Sequence, residues 1–174
     1  LLGVTVGLAF LSRDSLRAPG VHGFYRFFAW ESIVSLLIVN IEYWFLDPWS
    51  ASHIVSWLFL IVSGYFVLSG TLLLRRYGQA DESRSEVPLI GMEKTTTLVT
   101  EGIYGRIRHP LYSSLLFLTW GIFLKKPGWL QAGLALVATV FLVATSKVEE
   151  EENRRYFGEA YEEYVGKTKM YIPF

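Results

Sequence analysis

Runs of apolar residues separated by short polar stretches dominate the pattern of this chain. The clearest run covers residues 54–74, contains no charged residue and has the roughly 20-residue length that crosses the hydrocarbon core of a bilayer. A second run covers residues 27–46, with Glu31 and Glu42 near its two ends, where we interpret them as carboxylates at the level of the lipid headgroups. Both runs predict membrane-spanning helices.

Two further apolar runs cover residues 111–124 and 129–146, and the turn between them has the sequence Lys-Lys-Pro-Gly. This arrangement predicts a helical hairpin, with Pro110 in the first turn of its first arm, where proline is favoured. The apolar residues 1–11 predict a partial span, the remnant of a helix whose beginning we expect to be trimmed from this chain. Since only helices and closed barrels span bilayers, we predict an all-α integral membrane protein with about five transmembrane helices, the first one partial.

The basic residues indicate which side of the membrane each polar stretch occupies. Residues 47–53 contain no Lys or Arg, and the polar stretches on the other side contain most of the basic residues: Arg13, Arg17, Arg26, Arg75, Arg76, Arg84, Lys94, Arg106 and Arg108. Because basic loops tend to stay in the cytosol, we expect residues 75–109 and the C-terminal tail to be cytosolic. Lys125 and Lys126 lie on the opposite side, where their long side chains can snorkel to the far interface.

The chain is predicted to form a single domain in four parts. These are the N-terminal spans at 1–75, a cytosolic loop at 76–109, the hairpin at 110–146 and a cytosolic tail at 147–174. The polar stretch 77–94 is predicted to be a loop.

The start of the tail, residues 147–165, predicts a helix that Gly158 interrupts. Phe157, Tyr161, Tyr164 and Val165 form an apolar stripe on it. A helix with such a stripe either lies on the membrane or packs over a pocket.

Composition narrows the possible chemistry. The chain has 174 residues, 52% of them hydrophobic, with no cysteine and a formal net charge of zero. The missing cysteine excludes disulfides, thiolate metal sites and a cysteine nucleophile, and zero net charge gives no reason to expect nucleic acid. His22, His53 and His109 are far apart in sequence, and no glycine-rich phosphate loop or zinc motif is present, so we expect no metal.

Two polar clusters fall on the predicted cytosolic side. Residues 102–112 combine two Arg, one His and two Tyr at the start of the hairpin, and 149–152 are four consecutive Glu. Each cluster also has a purely structural interpretation: the first as a basic flank of a membrane helix, and the second as a solvated acidic face. On a helix, consecutive residues point about 100° apart, so at most one or two of the four Glu can face a pocket, with the others solvated.

Together the two clusters suit a zwitterionic or cationic ligand. Arg side chains bind carboxylate or phosphate, carboxylates bind an ammonium, and the rings of Tyr104 and Tyr112 can face a positive sulfonium. S-adenosylmethionine carries an ammonium, a carboxylate and a sulfonium. These charges are compatible with that cofactor but do not select it.

At these residues the chain resembles the isoprenylcysteine carboxyl methyltransferases and their relatives, the membrane phospholipid N-methyltransferases. Residues 98–104 and the sequence Arg108-His109-Pro110-Leu111-Tyr112 resemble the family's cofactor motif. Residues 149–151, followed by Phe-Gly-Glu-Ala-Tyr at 157–161, resemble its acidic motif and the helix after it. The resemblance covers roughly the C-terminal half of the chain.

The resemblance implies a largely enclosed S-adenosylmethionine pocket open to the cytosol, with substrate entering from the bilayer. Glu149 or Glu150 would hold the ammonium of the cofactor. Residues 96–99 would contact the cofactor through backbone groups. Besides the glutamate, the residues implied at the cofactor are Thr96, Thr97, Leu98, Val99, Tyr104, Arg108, His109, Pro110 and Tyr112.

One departure from the family bears on the methyl acceptor. The carboxyl methyltransferases carry an Arg near the substrate, a few residues before the acidic motif. Aligning on the Phe-Gly pair places Thr145 there, and Lys147 is the nearest basic residue, so these two are the substrate-side candidates. The acceptor is therefore expected to be lipid-like or small and hydrophobic, and a prenylcysteine carboxylate, an amine or a thiol all remain open.

Methyl transfer requires mainly alignment of the acceptor and exclusion of water, so the sequence identifies no catalytic residue. Two other interpretations stay open. One is a membrane enzyme that resembles the sterol reductases and binds NADPH, and the other is a non-catalytic membrane subunit. The sequence also leaves open whether the membrane is the plasma membrane or the endoplasmic reticulum.

Overall fold

The computed structural model describes residues 2–79 and 95–173 of the chain. Its helices are α1 (Leu2–Leu11), α2 (Arg13–Leu16), α3 (His22–Asn40), α4 (Ala51–Tyr77), α5 (Pro110–Phe123), α6 (Trp129–Phe157) and α7 (Glu159–Lys167). Short 3-10 segments cover Ile41–Tyr43 and Gly102–Gly105. The described residues form no strand beyond a single parallel bridge between Ile107 and Lys169, so the predicted all-helical class is confirmed for them.

Three helices are long and apolar enough to cross a membrane: α3 with its 3-10 extension, α4 and α6. Helices α1 and α5 are also apolar but have only 10 and 14 residues. A 14-residue helix is about 21 Å long, against a hydrocarbon core of about 30 Å. The predicted count of about five spans therefore remains a prediction.

The bundle is built from two closely packed helix pairs, α3 with α6 and α4 with α5. In its core, Ala29, Ile33 and Leu36 of α3 pack against Ala135, Ala138 and Leu142 of α6. The small side chains let the helix backbones approach closely, as is usual between membrane helices. The hydroxyls of α4 reinforce the second pair, since Ser63 Oγ donates to the Ser114 carbonyl at 2.8 Å.

The hairpin is present, but its second arm is longer than predicted. Helix α6 continues through Lys147 without a break to Phe157, where a separate helix was expected from residue 147. The predicted interruption at Gly158 is confirmed. Gly158 has φ +58° and ψ −133°, a conformation that glycine adopts without a steric penalty.

The second span also differs from its predicted bounds of 27–46. Helix α3 begins at His22 because the Glu152 carboxylate, on α6, accepts the His22 backbone N–H at 2.9 Å and so caps the helix from outside its own sequence. It ends at Asn40, followed by the 3-10 turn. Most of the loop predicted at 77–94 lies outside the described residues.

Candidate functional site

A cavity of about 490 Å³ lies at the end of the bundle where α3 and α5 begin and where α4 and α6 end. Its apolar wall consists of Trp30, Leu74, Leu98, Val99, Pro110, Leu111, Leu115 and Phe157. Its polar wall consists of His22, Arg26, Arg75, Thr95, Tyr104, Arg108, His109, Tyr112, Glu149, Glu152, Asn153, Tyr161 and Tyr164. A mostly concave pocket of this size with convergent polar groups is typical of a small-molecule site.

The four consecutive glutamates lie in three different environments, because consecutive residues of a helix point in different directions. Glu149 and Glu152, three residues apart, both line the cavity. Glu150 is buried against Arg108, and Glu151 is exposed and pairs with Arg155 at 3.3 Å. The prediction that one or two of the four face a pocket is confirmed, but the expectation that the others are solvated is wrong for Glu150, because it meets a basic side chain there.

Glu149 presents an unused acceptor to the cavity. Its Oε2 atom is buried and has no hydrogen-bond partner among the residues that the structure describes. The Tyr112 hydroxyl lies within hydrogen-bonding reach of the same carboxylate. A buried carboxylate oxygen without a partner is costly, so this atom marks a place where a ligand can donate a hydrogen bond.

Glu150 holds the Arg-His part of the predicted cofactor motif in place. Its Oε1 accepts a hydrogen bond from Arg108 Nε at 2.7 Å and lies 3.2 Å from His109 Nε2. Arg108 Nη1 also donates to the Thr168 carbonyl at 2.6 Å. The motif is therefore fixed from two sides, by α6 and by the chain after α7.

The C-terminal segment pairs with the same motif through its backbone. The Arg108 N–H donates to the Lys169 carbonyl at 2.8 Å, and the His109 N–H donates to the Met170 carbonyl at 3.1 Å. Since these donors precede α5, the C-terminal segment supplies acceptors for backbone groups that the helix itself leaves unsatisfied.

Helix α3 supplies a third wall through His22, Arg26 and Trp30, which lie four residues apart on one face. The His22 Nδ1 atom is 2.6 Å from Glu152 Oε2. The Arg26 guanidinium carbon lies 5.1 Å from the centroid of the Trp30 ring, in a cation–π contact. Glu149 and Glu152 both lie close enough to Arg26 for their charges to interact with its guanidinium.

The cavity phenols outside the long helices are held in their neutral form. Burial raises the pKa of Tyr104 above its ordinary value, and the negative charge of Glu149 adds to the effect. Burial also raises the pKa of Tyr161 and Tyr164. All three therefore remain hydrogen-bond donors at neutral pH, and the Tyr164 hydroxyl donates to the Tyr104 carbonyl at 2.7 Å.

The structure brings most of the sequence-predicted site residues together. Those that line the cavity are Leu98, Val99, Tyr104, Arg108, His109, Pro110, Tyr112 and Glu149.

Thr96, Thr97 and Glu150 do not line the cavity. The backbone N–H groups of Thr96 and Thr97 both donate to the Gly78 carbonyl, which ties this segment to the end of α4. The substrate-side candidates also lie outside the wall: Thr145 is buried and donates to the Phe141 carbonyl at 2.7 Å, and Lys147 is exposed.

Sequence reasoning missed the wall formed by α3. In the sequence, Arg26 serves only as one of the basic residues that indicate the orientation of the chain, and His22 appears only as a histidine too far from the other two for a metal site. The signal that could have found them is their spacing, because His22, Arg26 and Trp30 recur every four residues at the start of an apolar helix. Among residues 2–79 and 95–173, no group of three or more acidic or histidine side chains is arranged to hold a metal ion.

Residues 2–79 and 95–173 thus form a helical bundle with three membrane-length apolar helices and a polar cavity at one end. The family model for phospholipid methyltransferases matches residues 51–160, more than half of the chain. The chain therefore belongs to the phospholipid methyltransferase family.

Curated relatives carry methyltransferase names. The chain is similar to a methanethiol S-methyltransferase of Pseudomonas deceptionensis, with 26% identity over 84% of this chain and 53% of the relative. It is also similar to protein-S-isoprenylcysteine O-methyltransferase B of Arabidopsis thaliana, with 31% identity over 59% of this chain and 53% of that protein. The human protein-S-isoprenylcysteine O-methyltransferase is 29% identical over 72% of this chain and 45% of its own length.

The chain thus spans about half the length of the curated relatives it matches. No solved structure matches it.

Proposed function

We propose that this protein transfers a methyl group from S-adenosylmethionine to a lipid-like or small hydrophobic acceptor at the cytosolic face of a membrane. The observation that carries the proposal is the buried Glu149 oxygen without a partner, set in a cavity whose wall comes largely from the part of the chain that matches the family. Membership of the family and the methyltransferase names of the relatives support the same reaction class.

The residues present fit the charges of S-adenosylmethionine. Glu149 would accept hydrogen bonds from the ammonium. Glu150 is less suited to this role because its carboxylate already contacts Arg108 and His109. Tyr104 and Tyr112 line the cavity, where an aromatic ring can contact a sulfonium. The cavity volume of about 490 Å³ is also within the range of small-molecule sites.

When bound, the cofactor would supply a methyl group already activated by its positive sulfur. The task left to the protein is to orient the acceptor and exclude water. The apolar wall, to which Phe157 contributes, serves to exclude water. Glu150 acts as a positioning residue, since its contacts with Arg108 and His109 hold the cofactor motif against the cavity.

The cytosolic orientation is part of the proposal. The start of α3, the end of α4 and the end of α6 meet at the cavity, and Arg26, Arg75 and Arg76 lie at this end of the bundle. The positive-inside tendency of membrane proteins supports a cytosolic position for the cavity. The proposal treats residues 1–174 as one methyltransferase domain, because α3 and α7 complete the wall outside the matched stretch 51–160.

The test is a calorimetric titration of the detergent-purified protein with S-adenosylmethionine and, separately, with NADPH. Saturable binding of S-adenosylmethionine alone is expected. Binding of NADPH alone would replace the proposal with a reductase activity. Binding of neither compound by a folded sample would contradict an enzymatic role and favour a non-catalytic membrane subunit.

A further inference from the structure

We infer that the segment after α7 positions the cofactor site, so that docking of this segment and binding of the cofactor stabilise each other. We refer to its residues 168–171 as the C-terminal strap. This inference rests on the proposed function and adds a positioning element to the same site. The strap lies outside the matched stretch 51–160 and outside the motifs that resemble the family.

The strap pairs through its backbone with the segment that leads into α5. The Lys169 N–H donates to the Arg106 carbonyl at 2.9 Å, and the Arg108 N–H donates to the Lys169 carbonyl at 2.8 Å. These two bonds form the parallel bridge opposite Ile107, whose side chain is fully buried. The strap therefore fixes the path of the backbone immediately before the Arg-His part of the cofactor motif.

The same pairing continues into the first turn of α5. The His109 N–H donates to the Met170 carbonyl at 3.1 Å, and the buried Ser113 hydroxyl donates to the Tyr171 carbonyl at 2.9 Å. Successive carbonyls of the strap thus accept hydrogen bonds along the start of the hairpin. The strap follows the cofactor motif over its whole length instead of touching it at one point.

The strap also holds the side chain of Arg108. Arg108 Nη1 donates to the Thr168 carbonyl at 2.6 Å, while Arg108 Nε donates to Glu150 of α6 at 2.7 Å. Because the donors of a guanidinium form a rigid fork, these two anchors together fix its plane. Arg108 and His109 both line the cavity, so a displaced strap would displace part of the cavity wall.

A second connection runs from the strap to the tyrosines of the cavity. The Thr168 hydroxyl donates to the Tyr164 carbonyl at 2.7 Å, and the Tyr164 hydroxyl donates to the Tyr104 carbonyl at 2.7 Å. Both tyrosines belong to the cavity wall. The strap is therefore joined to the wall at the end of α7 as well as at the start of α5.

These contacts couple the strap to any ligand that needs the wall in this shape. The backbone N–H groups of Arg108 and His109 precede α5 and have no acceptor within that helix, so undocking of the strap leaves them without their carbonyl partners. A ligand that binds only the docked form stabilises that form by mass action. The coupling is reciprocal, so the cofactor protects the strap, and a weakened strap weakens cofactor binding.

Amide hydrogen exchange of the full chain in detergent measures the first direction of this coupling. With S-adenosylmethionine at 100 times its Kd, the Lys169 amide is expected to exchange up to about 100-fold more slowly, because opening of the strap then also requires release of the cofactor. This amide is decisive because it lies in the strap and outside the cavity wall. The hydrogen-bonded amides of Lys125 and Lys126, in the α5–α6 turn away from the cavity, serve as the control and should not change.

A pair of variants measures the opposite direction. Lys169→Pro removes the N–H that bonds the Arg106 carbonyl, and the extended backbone of Thr168, with φ −127° and ψ 158°, suits a residue that precedes proline. Lys169→Ala is the matched reference, since it loses the same exposed side chain but keeps the N–H. S-adenosylmethionine is expected to bind folded Lys169→Pro about 5- to 10-fold more weakly than Lys169→Ala, as the loss of one hydrogen bond implies.

The outcomes separate this inference from the proposed function. A wild type that binds S-adenosylmethionine while exchange at Lys169 stays unchanged would overturn the positioning role alone, and so would equal affinities of the two folded variants. If Lys169→Pro does not fold, the exchange of the Lys169 amide in the wild type decides. A folded wild type that binds no S-adenosylmethionine contradicts the proposed function itself, and the inference with it.

Discussion

The two ends of the helix bundle use buried polar residues in opposite ways. At the end away from the cavity, Asn40 Nδ2 donates to the Ile122 carbonyl at 2.7 Å, and Ser56 Oγ donates to the Gly121 carbonyl at 2.6 Å. Lys125 Nζ lies 3.2 Å from the Trp57 ring centroid. These groups contact neighbouring helices directly, and they join α3, α4 and the α5–α6 turn.

At the cavity end, polar side chains surround a space of about 490 Å³ instead of closing it. Some of them contact one another, as Glu150 does with Arg108, but Glu149 Oε2 is left without a partner in the described part of the chain. The comparison teaches that buried polarity alone does not identify a site in a helical membrane protein. At the other end, Asn40 Oδ1 and Lys125 Nζ also lack a hydrogen-bond partner among the described residues. A site is therefore indicated where such groups converge on a cavity, as they do around Glu149.

The largest expected effect tests whether Glu152 is structural even though it lines the cavity. Glu152→Ala removes the cap of α3 and leaves His22 without its carboxylate, and breaking a buried pair in this way costs about 3 kcal/mol or more. The free energy of unfolding, measured by denaturant titration in detergent, should fall by that amount.

The matched control for this substitution is Glu151→Ala. Glu151 is the adjacent residue of α6, is exposed and pairs with Arg155 on the surface, so its change should stay within about 0.5 kcal/mol. Equal losses of stability in the two variants would show that Glu152 does not fasten α3 to α6.

A smaller effect is expected at the far end of the bundle. Asn40→Leu removes a fully buried donor and should lower the free energy of unfolding by about 1–2 kcal/mol, since the Ile122 carbonyl loses one of its partners. The affinity for S-adenosylmethionine should not change, because Asn40 is not part of the cavity wall. A variant as stable as the wild type but with weakened cofactor binding would contradict the division between the two ends.

The sequence alone predicts the helical class, the hairpin and most of the cofactor-motif residues in the cavity wall. The helical class and the hairpin depend on local signals, namely apolar run length and a Lys-Lys-Pro-Gly turn, whereas the cofactor-motif residues are implied by the family resemblance. The wall formed by α3 could not be predicted in the same way, because Arg26 and Glu152 are separated by more than a hundred residues and meet only when α3 packs on α6.

The position at which α3 begins could not be predicted from local sequence either. No side chain in its own sequence caps it, and its N-terminus is set by Glu152 of another helix. The ambiguity among the four glutamates has a similar origin, since only the packing of α6 decides which of them faces the cavity.

The most direct measurement of the central claim is the affinity for S-adenosylmethionine of Glu149→Gln beside that of Glu151→Gln. The two substitutions remove the same charge two residues apart on α6, one in the cavity wall and one on the exposed surface. We expect a loss of about 10- to 100-fold for Glu149→Gln, as for a hydrogen bond to a charged group, and no change for Glu151→Gln. Unchanged affinity in a folded Glu149→Gln sample would contradict the assignment of this cavity as the cofactor site.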